Sequence, residues 1–190
     1  MKKLYLILLP FILILNSKAQ QFENINAGLS NLKESSVAWA DFDNDGDVDI
    51  IACGLKSNGT PLTVVFQNDE GVFNEISLGF ENVSEGSVAW GDYDIDGDLD
   101  LLITGLAASG DYSAIYNNDN GVFTDASAGL TNVKGGEGAW GDYDNDGDLD
   151  AFITGSFNSI LYENQDGSFV ETSFVFPDMQ ASSVAFGDFD

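Results

Sequence analysis

The sequence predicts an all-β fold of repeated four-stranded units, and three observations carry that prediction. A nine-residue acidic string recurs three times, as DFDNDGDVD at 41–49, DYDIDGDLD at 92–100 and DYDNDGDLD at 142–150. Each is followed by a short apolar run closed by a glycine: Ile50-Ile51-Ala52-Cys53, Leu101-Leu102-Ile103-Thr104 and Ala151-Phe152-Ile153-Thr154. These runs read as buried strands. Finally, Phe22, Phe73, Phe123 and Phe169 stand seventeen residues before Trp39, Trp90, Trp140 and Phe186, so the repeat reaches well beyond the acidic strings.

The elements of one unit follow in order. Ser36-Val37-Ala38-Trp39, Ser87-Val88-Ala89-Trp90 and Gly138-Ala139-Trp140 are short enough for strands and too short for helices, and they supply the first strand. The acidic string connects it to the apolar second strand. A variable hairpin leads to an aromatic third strand. Phe66-Gln67-Asn68-Asp69-Glu70-Gly71, Tyr116-Asn117-Asn118-Asp119-Asn120-Gly121 and Tyr162-Glu163-Asn164-Gln165-Asp166-Gly167 then turn the chain into a Phe-led fourth strand. Units lie near 35–79, 86–129 and 136–178, with a truncated fourth from 182. The period is 51, 50 and then 46 residues, and the shortening falls in the hairpin between the second and third strands. Four strands repeated at this period are the signature of a β-propeller, in which radial blades stack face to face.

Three further positions recur in phase. One tryptophan per unit, Trp39, Trp90 and Trp140, reads as core between blades. Within the acidic strings the second place is aromatic (Phe42, Tyr93, Tyr143) and the eighth aliphatic (Val48, Leu99, Leu149), which predicts that both anchor the loop to its blade. Cys53 is the only cysteine and shares a column with Thr104 and Thr154, so it reads as a buried strand residue.

Carboxylates two residues apart with a glycine sixth wrap a backbone around one hard cation through oxygen ligands, and the ion that fits is calcium. Crowded aspartates repel by about 1 kcal/mol per pair at 4 Å even in water, a cost that a divalent cation removes. The candidate ligand loops are Asp41, Asp43, Asp45, Asp47 and Asp49; Asp92, Asp94, Asp96, Asp98 and Asp100; and Asp142, Asp144, Asp146, Asp148 and Asp150. Asp188 and Asp190 begin a fourth. In the first copy Asp41, Asp43 and Asp45 would give side-chain oxygens, the seventh residue its backbone carbonyl, and Asp49 would close the site. An EF-hand waits until its twelfth residue and lies between helices; this loop is shorter and lies between strands. The expectation is about one Ca²⁺ per complete loop, bound in the weak extracellular range of roughly 10⁻⁴ to 10⁻³ M.

The strings VAWADFDNDGDVDIIACG, VAWGDYDIDGDLDLLITG and GAWGDYDNDGDLDAFITG, with their NxxGxF partners, resemble the FG-GAP or VCBS-type repeat family, to which the integrin α-subunit head is similar. The resemblance covers almost all of 21–190. It implies a seven-bladed propeller with calcium in the loop between the first two strands of several blades. The name-giving Phe-Gly survives as Trp-Gly or Phe-Gly, Ala40 replaces the glycine in the first copy, and the Gly-Ala-Pro element is absent, which points to the bacterial-style subfamily. Seven blades of this size need about 350 residues, so the chain is expected to hold three blades of a longer array. The segment 21–28 is expected to complete the last blade of the full ring.

Met1-Lys2-Lys3, an apolar run from Leu4 to Leu15 and Asn16-Ser17-Lys18-Ala19 match a secretory signal over 1–19. The run is too short, and broken by Pro10, for a membrane span, and no cysteine stands at the cleavage site to carry a lipid. Removing the leader takes three of the six basic residues and no acid, moving the net charge from −26 to −29. Such a surface argues against nucleic acid and anionic membranes. Without histidine, zinc sites built on His and Ser-His-Asp chemistry are excluded for this segment. The expected function is that of a secreted or cell-surface module, with the periplasm as a further location. It would bind a protein or carbohydrate ligand on a propeller face and would not itself be an enzyme. The competing readings are a propeller of an extracellular enzyme, polysaccharide-active or with an attached catalytic domain, and a structural spacer.

Overall fold

Strands that are apolar on both faces need covering on both faces, and the chain meets this by stacking sheets. The computed structural model describes Asn24 and residues 27–187. The expected leader at 1–19, most of the closing segment at 21–28, and Asp188 and Asp190 lie outside the described residues. Blade one comprises β1 (Lys33–Ala40), β2 (Asp49–Leu55), β3 (Pro61–Asp69) and β4 (Val72–Ile76). Blade two comprises β5 (Ser84–Gly91), β6 (Asp100–Ala107), β7 (Gly110–Asp119) and β8 (Val122–Asp125). Blade three comprises β9 (Gly138–Gly141), β10 (Asp150–Gly155), β11 (Asn158–Gln165) and β12 (Ser168–Glu171). Each is an antiparallel meander in sequence order, so the described residues form three blades of an all-β propeller and contain no helix.

The third and fourth strands of each blade meet at a two-residue turn. Glu70-Gly71, Asn120-Gly121 and Asp166-Gly167 all hold positive φ at both places, the pattern of a type I′ hairpin. The shorter third unit has a local cause. Blade two pairs Gly105 with Tyr112 and continues through Leu106–Asp111 to Ala107–Gly110, whereas blade three stops at Gly155–Asn158. Two rungs are missing, which accounts for four residues.

The core lies between blades. Ile51, Cys53 and Val65 of blade one meet Leu101, Ile103 and Val88 of blade two. Leu102 and Ile115, on the opposite face of blade two, meet Ala151, Ile153 and Tyr162 of blade three. The middle sheet is thus apolar on both sides. Burial pushes the Cys53 thiol up to about 11, so it stays protonated at neutral pH.

Two of the second-place aromatics pack on the next blade rather than anchoring the loop to its own, whereas Tyr143 bonds to Glu163 of its own blade. Phe42 stacks on Trp90 of the next blade with ring centroids 5.9 Å apart, and Tyr93 stacks on Trp140 at 6.0 Å. Trp90 and Trp140 fill the seam between blades as expected, but Trp39 is 62% exposed because no described blade precedes it to supply the stacking ring. Val48 is likewise exposed rather than an anchor, while Leu149 packs on the second core.

This stacking explains the glycine that ends the first strand. A Cβ on Gly91 would lie 2.7 Å from Trp140, and one on Gly141 would collide with Phe186, which occupies the tryptophan column beside blade three. Blade one has Ala40 at the same place. Trp140 donates its indole N–H to the Ala89 carbonyl at 3.1 Å, whereas the buried Trp90 Nε1 has no partner. By analogy with the space the Trp140 ring takes beside Gly91, the Ala40 methyl would stand in the way of the equivalent Trp90 bond. Ala40→Gly is therefore expected to raise stability by about 1 kcal/mol, the worth of satisfying one buried donor, despite glycine's cost within a strand. A lowered urea midpoint would contradict it.

Candidate metal-binding loops

Each acidic string leaves the end of a first strand, folds back on itself and enters the second strand. The first aspartate organises the bend. Asp41 accepts from the N–H groups of Asp45 (3.0 Å) and Gly46 (2.9 Å), Asp92 from Asp96 and Gly97 (both 3.1 Å), and Asp142 from Asp146 (3.2 Å) and Gly147 (3.1 Å). The sixth-place glycines adopt φ of 97°, 96° and 103°, which L side chains rarely reach. The fourth place is also left-handed: Asn44 at 58°, Ile95 at 60° and Asn145 at 61°. Asparagine tolerates this region, whereas a β-branched isoleucine is strained there.

The bend gathers three carboxylates per loop. Oxygens of Asp41, Asp43 and Asp45 all lie within 4.8 Å of one another, as do those of Asp92, Asp94 and Asp96, and of Asp142, Asp144 and Asp146. Partial desolvation by the surrounding loop, followed by the charges of neighbouring loop carboxylates, raises the pKa of Asp94 and Asp144, although both side chains are exposed.

The ninth-place residues stand below these clusters, buried, and hold loop and sheet together. Asp49 accepts from Phe42 N–H (3.2 Å) and Asn68 N–H (2.7 Å), Asp100 from Tyr93 (3.0 Å) and Asn118 (2.8 Å), and Asp150 from Tyr143 and Asn164 (both 2.9 Å). Burial raises the pKa of all three and pushes Asp100 up to about 7, against the opposing pull of these N–H groups. The seventh-place residues face the hairpin turns, with Glu70 N–H donating to Asp47 and Asn120 N–H to Asp98, each at 2.7 Å.

A set of residues that sequence reasoning left without a role ties these parts together. Asn68, Asn118 and Asn164 each accept from the glycine N–H of the following turn at 2.8 Å and donate to the eighth-place carbonyl of their own loop. Asn118 also donates to the Phe42 carbonyl (3.2 Å), and Asn164 to the Tyr93 carbonyl (2.8 Å), so both reach the preceding blade's loop. The signal was present in the recurrent NxxG spacing.

The loops suit a hard cation. Their donors are carboxylate oxygens, and Asp43 Oδ1 is buried with no hydrogen-bond partner, an oxygen whose desolvation a bound cation would offset. Residues 41–103, from the first acidic loop into β6, match the family model described as FG-GAP-like repeat. Residues 41–103 carry an FG-GAP-like repeat. No curated protein matches it. The matched FG-GAP segment spans one acidic loop, its hairpins and the next loop, and the three sheets repeat that plan as β-propeller-like blades. Among the described residues no helix is long and apolar enough to cross a membrane.

Proposed function

We propose that this FG-GAP array is an exported, non-catalytic module whose blades are stiffened by calcium and which presents a propeller face to a protein or carbohydrate ligand. The observation that carries the reading is the convergence of three aspartates in each loop, with a buried oxygen of Asp43 left unpaired. In the first loop Asp41, Asp43 and Asp45 would hold the ion; Asp92, Asp94 and Asp96, and Asp142, Asp144 and Asp146, would do so in the others. Calcium would supply positive charge where like charges crowd, and FG-GAP repeats commonly bind it. The chain's own residues do the rest: Asp49, Asp100 and Asp150 pin each loop to its sheet, and the rings of Phe42 and Tyr93 carry that rigidity into the next blade.

Export is supported by the leader-like N-terminal sequence and by the frequency of FG-GAP proteins outside cells. Binding fits a repeat fold, which offers extended surfaces for contact. Calcium titration of the purified chain by calorimetry is expected to give about three bound ions, one per complete loop. Absence of binding at millimolar calcium would refute the calcium reading.

A further inference from the structure

The two joints between acidic loops differ in the fourth place of the leading loop. At the first, Asn44, in the fourth place of loop one, donates its amide to Asp98 Oδ1 at 2.9 Å and more weakly to the Gly97 carbonyl at 3.4 Å. Asp98 N–H in turn donates to Asp96 Oδ1 at 2.8 Å. Asp43 and Asp45, the chain neighbours of Asn44, belong to the first carboxylate cluster, and Asp96 belongs to the second. A continuous path of covalent and hydrogen bonds therefore runs from one cluster to the other.

At the second joint the fourth place is Ile95, which has no donor. The matching acceptor, Asp148 Oδ1, is buried and has no partner. The other link between neighbouring loops is the same in both joints, since Asn118 reaches Phe42 and Asn164 reaches Tyr93. Between the loops themselves the joints differ by Asn44 against Ile95, while the blade seams beneath them differ by Ala40 against Gly91 and by the Trp140 indole hydrogen bond that Trp90 lacks.

We propose that loops one and two take up calcium as a coupled pair through Asn44, while Ile95 leaves loop three an independent site. This rests on the calcium reading above. An ion that fixes Asp43 and Asp45 also fixes the Asn44 amide between them, and that amide holds Asp98 and Gly97 in the conformation that presents Asp96 to the second ion. The first ion thus meets part of the ordering cost of the second, which is positive cooperativity, and coupling is reciprocal.

The test is calorimetric calcium titration of the full chain in two backgrounds. With loop three disabled by Asp142→Asn and Asp144→Asn, the remaining pair is expected to bind with a Hill coefficient above one. Adding Asn44→Gly, which keeps the left-handed backbone and removes only the amide, is expected to bring it to one and weaken the second ion by about fivefold. With loop one disabled by Asp41→Asn and Asp43→Asn, loops two and three are expected to titrate independently, and Ile95→Asn to make them cooperative. Circular dichroism without calcium checks that each variant keeps its sheets, and the gain at Ile95→Asn stands even if a loss variant fails to fold. Calcium binding that is unchanged by both substitutions would overturn the coupling alone. No calcium binding in the parent chain would overturn the calcium reading and the coupling with it.

Discussion

Replacing Asn118 by leucine is expected to lower stability by about 3–5 kcal/mol. The side chain is fully buried and serves three backbone groups: it donates to the carbonyls of Phe42 and Leu99 and accepts from Gly121 N–H. Leucine keeps the branched side-chain shape, though it is bulkier, and serves none of these groups. Each abandoned buried group costs about 1–3 kcal/mol, and partial relaxation keeps the total below the sum of the upper values. The Phe42 carbonyl belongs to blade one, so the loss falls on the seam as well as on the hairpin. Asn68 is the internal control, because it bonds only within its own blade, to the Val48 carbonyl and Gly71 N–H. Asn68→Leu is expected to cost less than half as much. Urea midpoints at matched slopes check both, and equal losses would remove Asn118 from the seam.

Trp140→Ala is expected to cost about 3 kcal/mol, within the range for truncating a large aromatic side chain. The indole stacks on Tyr93, packs against Phe169 at 6.0 Å and donates to the Ala89 carbonyl. The same substitution at Trp39, in identical phase but mostly exposed, is expected to stay within about 0.5 kcal/mol. The contrast isolates position in the array from position in the repeat. A loss at Trp39 as large as at Trp140 would show that another surface covers the first blade.

Much of the fold was legible because a propeller writes each blade in the chain as one period. The apolar runs after each acidic string, the Asn-to-Gly turns and the phase of phenylalanine and tryptophan gave strands, their order and the place of the missing residues. What the phase could not give was the partner. Phe42 and Tyr93 recur at fixed spacing whether they pack on their own blade or on the next, and only the stacking geometry shows that they cross the seam. Trp39 shows the same limit, since its column predicts burial that depends on a neighbouring blade.

The acidic loops were legible as candidate cation loops from spacing and glycine alone, and the structure brings the first three aspartates of each together. The division of labour among the remaining carboxylates was not legible. Asp49, Asp100 and Asp150 continue the same alternation, yet both oxygens of each receive backbone N–H groups, including one from a residue between fourteen and nineteen positions away. Variation at the fourth place read simply as freedom from a ligand role. In three dimensions it marks the difference between Asn44, bonded to the next loop, and Ile95, which leaves Asp148 unserved.

On the calcium reading, a divalent cation relieves the crowding of aspartates and thereby holds loops and blades rigid. The most direct measurement is the thermal melting of the full chain with calcium at several millimolar and again with excess chelator. Ligand-linked stabilisation grows as RT ln(1 + [L]/Kd) for each site, so the expected result is a higher melting temperature with calcium, lost on chelation and reduced when Asp92 and Asp94 are changed to asparagine. A melting temperature that is the same with calcium and with chelator would contradict it.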